Sequence, residues 1–275
     1  MKSYAMNGAG NAFVLIDARG RSAPLSLPAE RVAAIHARHA FDQLLTLETH
    51  PVETALLRVW NSDGGEVGAC GNGARAAAWL LFEQDGGETL SMSSRGGRLT
   101  ARRLEDGRAE VNLGRPRLSW RNIPLSRDMD TEALDYEVHL PGGGRLTRPG
   151  AVSMGNPHVT FTVSDVSAIP IAQIGPMIEH DILFPQRVNA GFAEIRGSDR
   201  IRLRVWERGA GLTQACGTGA CAAVVALHRQ GKLGRAAEVE VDGGRLGVRW
   251  AEDDDVYLTG PVELEGEVDL GGLLS

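Results

Sequence analysis

ACGNGA at residues 69–74 and ACGTGA at residues 215–220 are two copies of one motif, separated by 146 positions. The alignment extends without a gap over residues 58–81 and 204–227, where 12 of 24 positions are identical. Other landmarks recur at nearly the same offset: Gly155-Asn156 follows Gly10-Asn11 by 145 residues, and Asn189 follows Gln43 by 146. The offset is about half of the 275-residue chain, which indicates one unit used twice.

Each copy predicts a strand, a loop and a helix. Residues 56–60 and 201–206 are short and rich in β-branched and aromatic residues, as strands are. Residues 74–84 and 220–230 are rich in alanine and are followed by glycine, which predicts helices. These helices are apolar on nearly every side, so we expect them to be buried within a sheet.

Each motif cysteine therefore stands in the turn before a buried helix. The first N–H groups of a helix have no partner within it and carry partial positive charge. They can hold a carboxylate, and they lower the pKa of a cysteine thiol. Two such helix ends facing each other would form an anion site with a thiol on either side.

Composition and charge exclude several classes of protein. The net charge is −6 and no basic block indicates nucleic-acid binding. No segment is apolar enough to span a membrane, and residues 1–8 do not resemble a signal peptide, so we expect a cytoplasmic protein.

Cysteine and lysine usage limits the chemistry. Three cysteines do not form a disulfide framework, and no Cys/His cluster has zinc spacing, so we expect no metal. Cys221 lies within an alanine-rich helix and is expected to be a core residue. The only lysines, Lys2 and Lys232, are poorly placed for a pyridoxal phosphate Schiff base, so we expect no cofactor.

Glycine and proline mark the domain boundary. A break at residues 114–118, together with the repeat offset, predicts an N-terminal half of residues 1–117 and a C-terminal half of residues 118–260. We expect the tail, residues 261–275, to return to the first half. A helix is predicted from Ser26, as its cap, through about His39.

Two thiols in equivalent turns favour one reaction. Inversion at an amino-acid α-carbon needs a base on one face and an acid on the other, and a thiolate and a thiol can supply them. Helix N–H groups would stabilise the charge that develops on the carboxylate. A thiol redox or binding protein remains an alternative.

The motifs together resemble the diaminopimelate epimerase family. The resemblance covers the whole chain in order, through GAGN at residues 8–11, NSDGGEVGACGNGAR at 61–75, GNPH at 155–158, ERG at 207–209 and ACGTGA at 215–220. It implies an α+β fold of two pseudo-symmetric domains, each a barrel-like mixed sheet around a central helix. It also implies a homodimer that converts LL- to meso-2,6-diaminopimelate without pyridoxal phosphate, in lysine and peptidoglycan precursor biosynthesis.

The resemblance assigns roles to residues. Cys70 and Cys216 would be the acid and the base, and Glu207 would bind the reacting ammonium. His158 and Glu207 would tune the site, although His158 alone could equally be a core-edge histidine. The reacting carboxylate would be held by Gly71, Asn72, Gly217 and Thr218. The rest of the substrate site would consist of Asn11, Gln43, Asn61, Asn156, Asn189 and Arg208.

Two alternatives lie within the same superfamily. A proline or hydroxyproline racemase also uses paired cysteines, but the polar residues shared with the diaminopimelate group argue against a small cyclic substrate. An isomerase with a carboxylate in place of the cysteine pair is disfavoured because Cys70 and Cys216 are both present.

Overall fold

The chain forms two units, each of which contains parallel and antiparallel strand pairs. The computed structural model describes residues 1–68 and 70–274. Unit 1 comprises Met1–Asn112 and Thr259–Ser275, and unit 2 comprises Leu113–Leu258. The boundaries predicted at 117/118 and 260/261 lie five and two residues further along the chain.

Unit 1 places its sheet around one buried helix. Its elements are β1 (Lys2–Gly8), β2 (Asn11–Ala18), α1 (Ala29–Arg38), β3 (Gln43–Glu48), β4 (Ala55–Asn61), β5 (Glu66–Val67), α2 (Gly71–Asp85), β6 (Thr89–Ser94), β7 (Gly97–Arg103) and β8 (Ala109–Asn112). The pairs β2–β3 and β4–β6 are parallel, whereas β1–β2, β3–β4, β6–β7 and β7–β8 are antiparallel. Helix α2 packs against β1, β2, β3, β4, β7 and β8.

Unit 2 repeats this arrangement. Its elements are β9 (Glu137–His139), β10 (Arg145–Thr147), β11 (Gly150–Ser153), β12 (Pro157–Val163), α3 (Ile171–Glu179), β13 (Asn189–Ile195), β14 (Arg200–Glu207), β15 (Gly211–Leu212), α4 (Gly217–Arg229), β16 (Ala236–Val241), β17 (Gly244–Trp250) and β18 (Val256–Thr259). The pairs β12–β13 and β14–β16 are parallel, and β11–β12, β13–β14 and β16–β17 are antiparallel. Strands β9 and β10 form a separate hairpin.

The alanine-rich sequence explains how a helix fits inside each sheet. Nearly every residue of α2 from Gly71 to Phe82 is buried, and so is α4 from Gly217 to Leu227. Small side chains on all sides let strands approach the helix from several directions. The predicted α+β fold, with a barrel-like mixed sheet around a central helix in each half, is confirmed.

The tail completes unit 1. Strand β19 (Glu263–Glu267) pairs antiparallel with β1, and Leu270 packs into the apolar cluster between α1 and β2. None of the helices formed by the described residues has the length and apolar character needed to cross a membrane.

Three helix starts differ from the prediction. The central helices begin at Gly71 and Gly217, three residues earlier than expected, because burial outweighs the low helix propensity of glycine. Ser26 is not the cap of α1, so that prediction was wrong. Pro28 occupies the N-cap position, where no side chain caps the helix.

Candidate functional site

The first cysteine caps its helix directly. Cys70 is half-buried and is the N-cap residue of α2, and its Sγ accepts the backbone N–H of Gly73 at 3.1 Å. A Cβ at Gly73 would lie 3.2 Å from this sulfur and 3.0 Å from Leu45 Cδ2. The second glycine of the motif is therefore needed for the close approach of the thiol to the helix end.

An amide chain lies beside this helix end. The Nδ2 of buried Asn72 donates to Asn11 Oδ1 at 2.5 Å, and Nη1 of Arg75 donates to Asn72 Oδ1 at 2.8 Å. The guanidinium of Arg75 is fully buried and also donates to the backbone carbonyl of Pro261 at 3.2 Å. Because a guanidinium only donates, it orients the amide of Asn72 with its oxygen toward Arg75 and its nitrogen toward Asn11.

Gln43 and Asn61 form a second polar pair in unit 1. They are directly opposite each other on β3 and β4, and Gln43 Nε2 donates to Asn61 Oδ1 at 3.3 Å. Both side chains are half-buried, which leaves part of each amide accessible to a ligand.

The second cysteine is more deeply buried. Cys216 is the N-cap residue of α4, and 4% of its surface is exposed. A Cβ at Gly219 would lie 3.1 Å from its sulfur and 3.1 Å from Val205 Cγ2. The two glycines that end the Cys-Gly-x-Gly motifs thus leave space for the thiol in the same way.

Thr218 connects Cys216 to the GNPH motif. Its Oγ1 lies 3.7 Å from Cys216 Sγ and accepts the Nδ2–H of Asn156 at 3.2 Å. The Nε2 of His158 lies 3.1 Å from both Thr218 Oγ1 and Asn156 Oδ1. Burial, with the positive charge of Arg208 nearby, lowers the pKa of His158 to about 3. His158 is therefore a neutral member of this cluster at physiological pH.

Glu207 is the last residue of β14, and Arg208 follows it. The Oε1 of Glu207 accepts the hydroxyl of Thr213 at 2.6 Å. The backbone N–H of Arg208 donates to Asn189 Oδ1 at 2.9 Å, and its Nη1 donates to the carbonyl of Gln186 at 2.8 Å. Asn189 is fixed in turn, because its Nδ2 donates to the carbonyl of Pro157 at 2.8 Å.

The predicted lowering of the cysteine pKa is wrong for Cys216. Burial, with the carboxylate of Glu207 beside it, raises the pKa of this thiol well above its usual value. The contacts from Thr218 and from the backbone N–H of Gly219 act in the opposite direction and are outweighed. The helix end stabilises the thiolate as expected, but desolvation is the larger effect.

The structure thus groups the predicted residues within each unit. In unit 1, Asn11 and Asn72 contact each other at the helix end that begins with Cys70 and Gly71, and Gln43 and Asn61 form a neighbouring pair. In unit 2, three predicted residues surround Thr218, and Asn189 contacts Arg208. Gly217 is the first residue of α4.

Sequence reasoning assigned no role to three residues that contact this machinery. Arg75 lies within the quoted motif, so its position was a usable signal. Thr213 and Glu179 lie outside the quoted motifs, and their contacts with Glu207 and with the β14–β15 turn depend on the fold.

None of the three cysteines is in a disulfide, and Cys221 is buried in α4 as a core residue. Within residues 1–68 and 70–274, no group of three or more His, Cys, Asp or Glu side chains is arranged to hold a metal ion.

Comparison with solved structures identifies the same fold in other proteins. A predicted epimerase from Pseudomonas aeruginosa has a TM-score of 0.68 at 18% identity, with 98% of each chain covered. A hydroxyproline epimerase from Agrobacterium vitis has a TM-score of 0.64 at 13% identity, covering 98% of this chain and 91% of that one. At these identities the likeness concerns the fold alone.

Sequence comparison is more specific. The model of the diaminopimelate epimerase family matches residues 3–119 and 150–265. The diaminopimelate epimerase of Phenylobacterium zucineum is 49% identical over 268 residues, 96% of each chain. That of Acidiphilium cryptum is 47% identical over 269 residues, covering 96% of this chain and 95% of the relative. The chain therefore belongs to the diaminopimelate epimerase family.

Proposed function

We propose that this protein interconverts LL- and meso-2,6-diaminopimelate without a cofactor, through Cys70 and Cys216. The observation that supports this most directly is the same in both units: a thiol at the N-terminus of a buried helix, with a glycine that leaves room for it. Membership of the family, with a relative that is 49% identical over nearly the full length, supports the choice of substrate.

The chemistry balances with one thiolate and one thiol. The thiolate removes the α-proton, and the electron pair of the broken C–H bond moves toward the carboxylate. The thiol then gives its proton to the opposite face of the carbon, and the electron pair forms the new C–H bond. One turnover leaves the protonation of the two cysteines exchanged, so each cysteine acts as the base in one direction only.

The surrounding groups have separate tasks in this proposal. The first N–H groups of α2 and α4, at Gly71, Asn72, Gly217 and Thr218, hold the reacting carboxylate and stabilise the negative charge that develops on it. The carboxylate of Glu207 binds the reacting ammonium. The remaining polar residues contact the rest of the substrate, including its distal amino-acid end: Asn11, Gln43, Asn61, Asn156, Asn189 and Arg208.

His158 and Glu207 also tune Cys216. His158 contacts Thr218 Oγ1, which lies next to the sulfur, and Glu207 raises the pKa of the thiol. A raised pKa favours the protonated thiol, so Cys216 is suited to act as the acid until substrate binds. An ammonium group bound to Glu207 would offset its charge and ease deprotonation.

We further propose that the protein is a cytoplasmic homodimer that acts in lysine and peptidoglycan precursor biosynthesis. This extends the family resemblance. Light scattering coupled to size-exclusion chromatography tests the dimer, which would elute with twice the mass of one chain.

The function is tested by proton NMR of the reduced protein with LL-diaminopimelate in deuterium oxide, with no added cofactor. We expect loss of the α-proton signal and appearance of the meso isomer. Exchange of proline or hydroxyproline, without exchange of diaminopimelate, would retain the two-thiol chemistry and replace the substrate. Absence of exchange with all three would contradict the proposal and favour a thiol redox or binding protein.

A further inference from the structure

A buried carboxyl group outside the proposed site contacts the turn that carries Glu207 and Arg208. The side chain of Glu179, at the end of α3, is 4% exposed. Its Oε2 accepts the indole N–H of Trp206 at 2.8 Å, and its Oε1 accepts the backbone N–H of Gly209 at 3.0 Å. Buried carboxyl groups are rare unless they are paired, so the position of Glu179 calls for a reason.

The two hydrogen-bond donors belong to the residues on either side of Glu207 and Arg208 in the sequence. Trp206 immediately precedes Glu207, and Gly209 immediately follows Arg208. One carboxyl group therefore binds both ends of a four-residue segment, with an oxygen for each end. The bond to Gly209 fixes the backbone after Arg208 directly, and the bond to Trp206 acts through the indole side chain before Glu207. Together they restrict where the side chains of Glu207 and Arg208 can lie.

Helix α3 also packs directly against Trp206. Gly175 of α3 lies against the indole of Trp206 so closely that a Cβ there would be 2.5 Å from the ring. Arg187 lies 3.6 Å from Glu179 Oε1 and has a φ of 60°, a conformation uncommon for residues other than glycine. Glu179 is thus the buried member of a contact with half-buried Trp206 and with Arg187, whose side chain is 55% exposed.

Unit 1 lacks this carboxyl group at the equivalent place. Glu179 is the last residue of α3, whereas the last residue of α1 is Arg38, and residues 33–38 contain no Asp or Glu. The corresponding turn after β4 instead packs by shape, since a Cβ at Gly64 would lie 2.5 Å from Ala29 Cα. The carboxyl contact therefore occurs in the unit whose turn carries a charged pair, and not in the unit whose turn begins with Asn61.

We propose that Glu179 is a positioning residue that holds Glu207 and Arg208 in the geometry that binds substrate. This inference rests on the proposed function. Loss of the carboxyl group would leave the indole N–H and the Gly209 N–H without their acceptor, and the turn would relax. The consequence is weaker binding of substrate, because Glu207 and Arg208 would no longer be oriented before substrate arrives.

The test compares Glu179→Gln with the matched variant Glu194→Gln. Glutamine keeps the shape, but its NH₂ group can only donate, so one of the two N–H groups loses its acceptor. Glu194 is also a mostly buried glutamate of unit 2. It accepts the backbone N–H of Val166 at 3.1 Å and pairs with Arg196, at the end of β13 away from Asn189.

We expect Glu179→Gln to raise KM for diaminopimelate at least tenfold and to shift the indole N–H resonance of Trp206, assigned from Trp206→Phe. Glu194→Gln should leave KM within about twofold. A merely structural role for Glu179 would lower the active fraction, and hence kcat, with KM unchanged. That outcome, or equal effects of the two variants, would overturn the proposal.

If Glu179→Gln folds poorly, Trp206→Phe alone keeps the test decisive: it removes one of the two donors and should also raise KM, and an unchanged KM would overturn the proposal. Where Glu179→Gln folds, the two changes form a double-mutant cycle. Trp206→Phe removes the indole donor, so the combined variant should lose less in kcat/KM than the product of the two single losses. Multiplicative losses would overturn the proposal.

If wild type and Glu194→Gln are both inactive toward diaminopimelate, it is the proposed function that fails. In that case, an unshifted indole resonance in Glu179→Gln would overturn the positioning contact separately.

Discussion

Cys216 experiences two opposing effects from its surroundings. Its place at the start of α4 brings the backbone N–H of Gly219 and the hydroxyl of Thr218 toward the sulfur, and both lower the thiol pKa. Burial and the carboxylate of Glu207 raise it, and they are the larger effects. The sequence predicts the helix end, but the burial of Cys216 depends on how the whole unit packs.

Burial also has the largest effect on the pKa of His158, and this pKa shift makes folding stability depend on pH. Its pKa is about 3 in the folded protein and is expected near 6.5 when unfolded. The unfolded state therefore binds the additional proton between these values, and folding stability falls as pH decreases from about 6.5 toward 3. Above pH 6.5 the histidine is neutral in both states and makes no such contribution.

Because of His158, we expect the free energy of unfolding to fall by about 2 kcal/mol when the pH is lowered from 7 to 5. His158→Gln cannot titrate, so the same pH change should destabilise it by about that much less. Urea unfolding at the two pH values measures the difference. His139→Gln, at an exposed position, is the control and should follow wild type. Parallel losses in wild type and His158→Gln would contradict the assignment.

At the scale of elements, the Cys-Gly-x-Gly motif is explained by packing around the sulfur. The last glycine of each copy has its missing Cβ directed at the thiol, at 3.2 Å for Gly73 and 3.1 Å for Gly219. Helix propensity alone would favour alanine at both positions by about 1 kcal/mol. The glycines remain because space for the thiol matters more than the stability of the helix.

Gly219→Ala separates these two effects. Overpacking against Cys216 Sγ and Val205 costs about 1–3 kcal/mol, which exceeds the propensity gain of about 1 kcal/mol. We expect a small loss of stability and a loss of about tenfold to a hundredfold in kcat/KM, because the thiol is displaced. Thermal unfolding and epimerase assays measure the two.

Gly142→Ala is the control for that variant, since a Cβ at Gly142 would meet nothing within 4 Å. It should leave both stability and activity near those of wild type. Full activity of Gly219→Ala would show that the glycine is not required to place the thiol.

Most elements could be predicted from the sequence because their patterns are local. The strands before each cysteine motif follow from their β-branched and aromatic residues. The starts of the central helices were misplaced because glycine is a poor helix former, and only tertiary burial explains helices that begin at Gly71 and Gly217. The cap predicted at Ser26 was wrong because α1 begins at Ala29, and its N-cap residue is Pro28, which has no side-chain acceptor.

At the scale of the whole molecule, the internal repeat explains why the two units share a fold. The positions at which the two copies differ indicate function. The strand pairings of unit 1 recur in the same order in unit 2. The departures include Asn61 against Glu207, and Arg75 against Cys221, at the 146-residue offset. The repeat was visible in the sequence, whereas the contacts made by Arg75 and Glu179 required the folded chain.

The central claim is that two thiols act on opposite faces of one carbon. The most direct measurement is the deuterium content of product and of recovered substrate, early in a reaction with LL-diaminopimelate in deuterium oxide. We expect deuterium at the inverted carbon of the product and none in the recovered substrate. Cys70→Ser and Cys216→Ser should each lose about 10²–10⁴-fold in epimerisation, and Cys221→Ala should remain active. Deuterium entering substrate as fast as product, or a fully active Cys70→Ser or Cys216→Ser variant, would contradict the account.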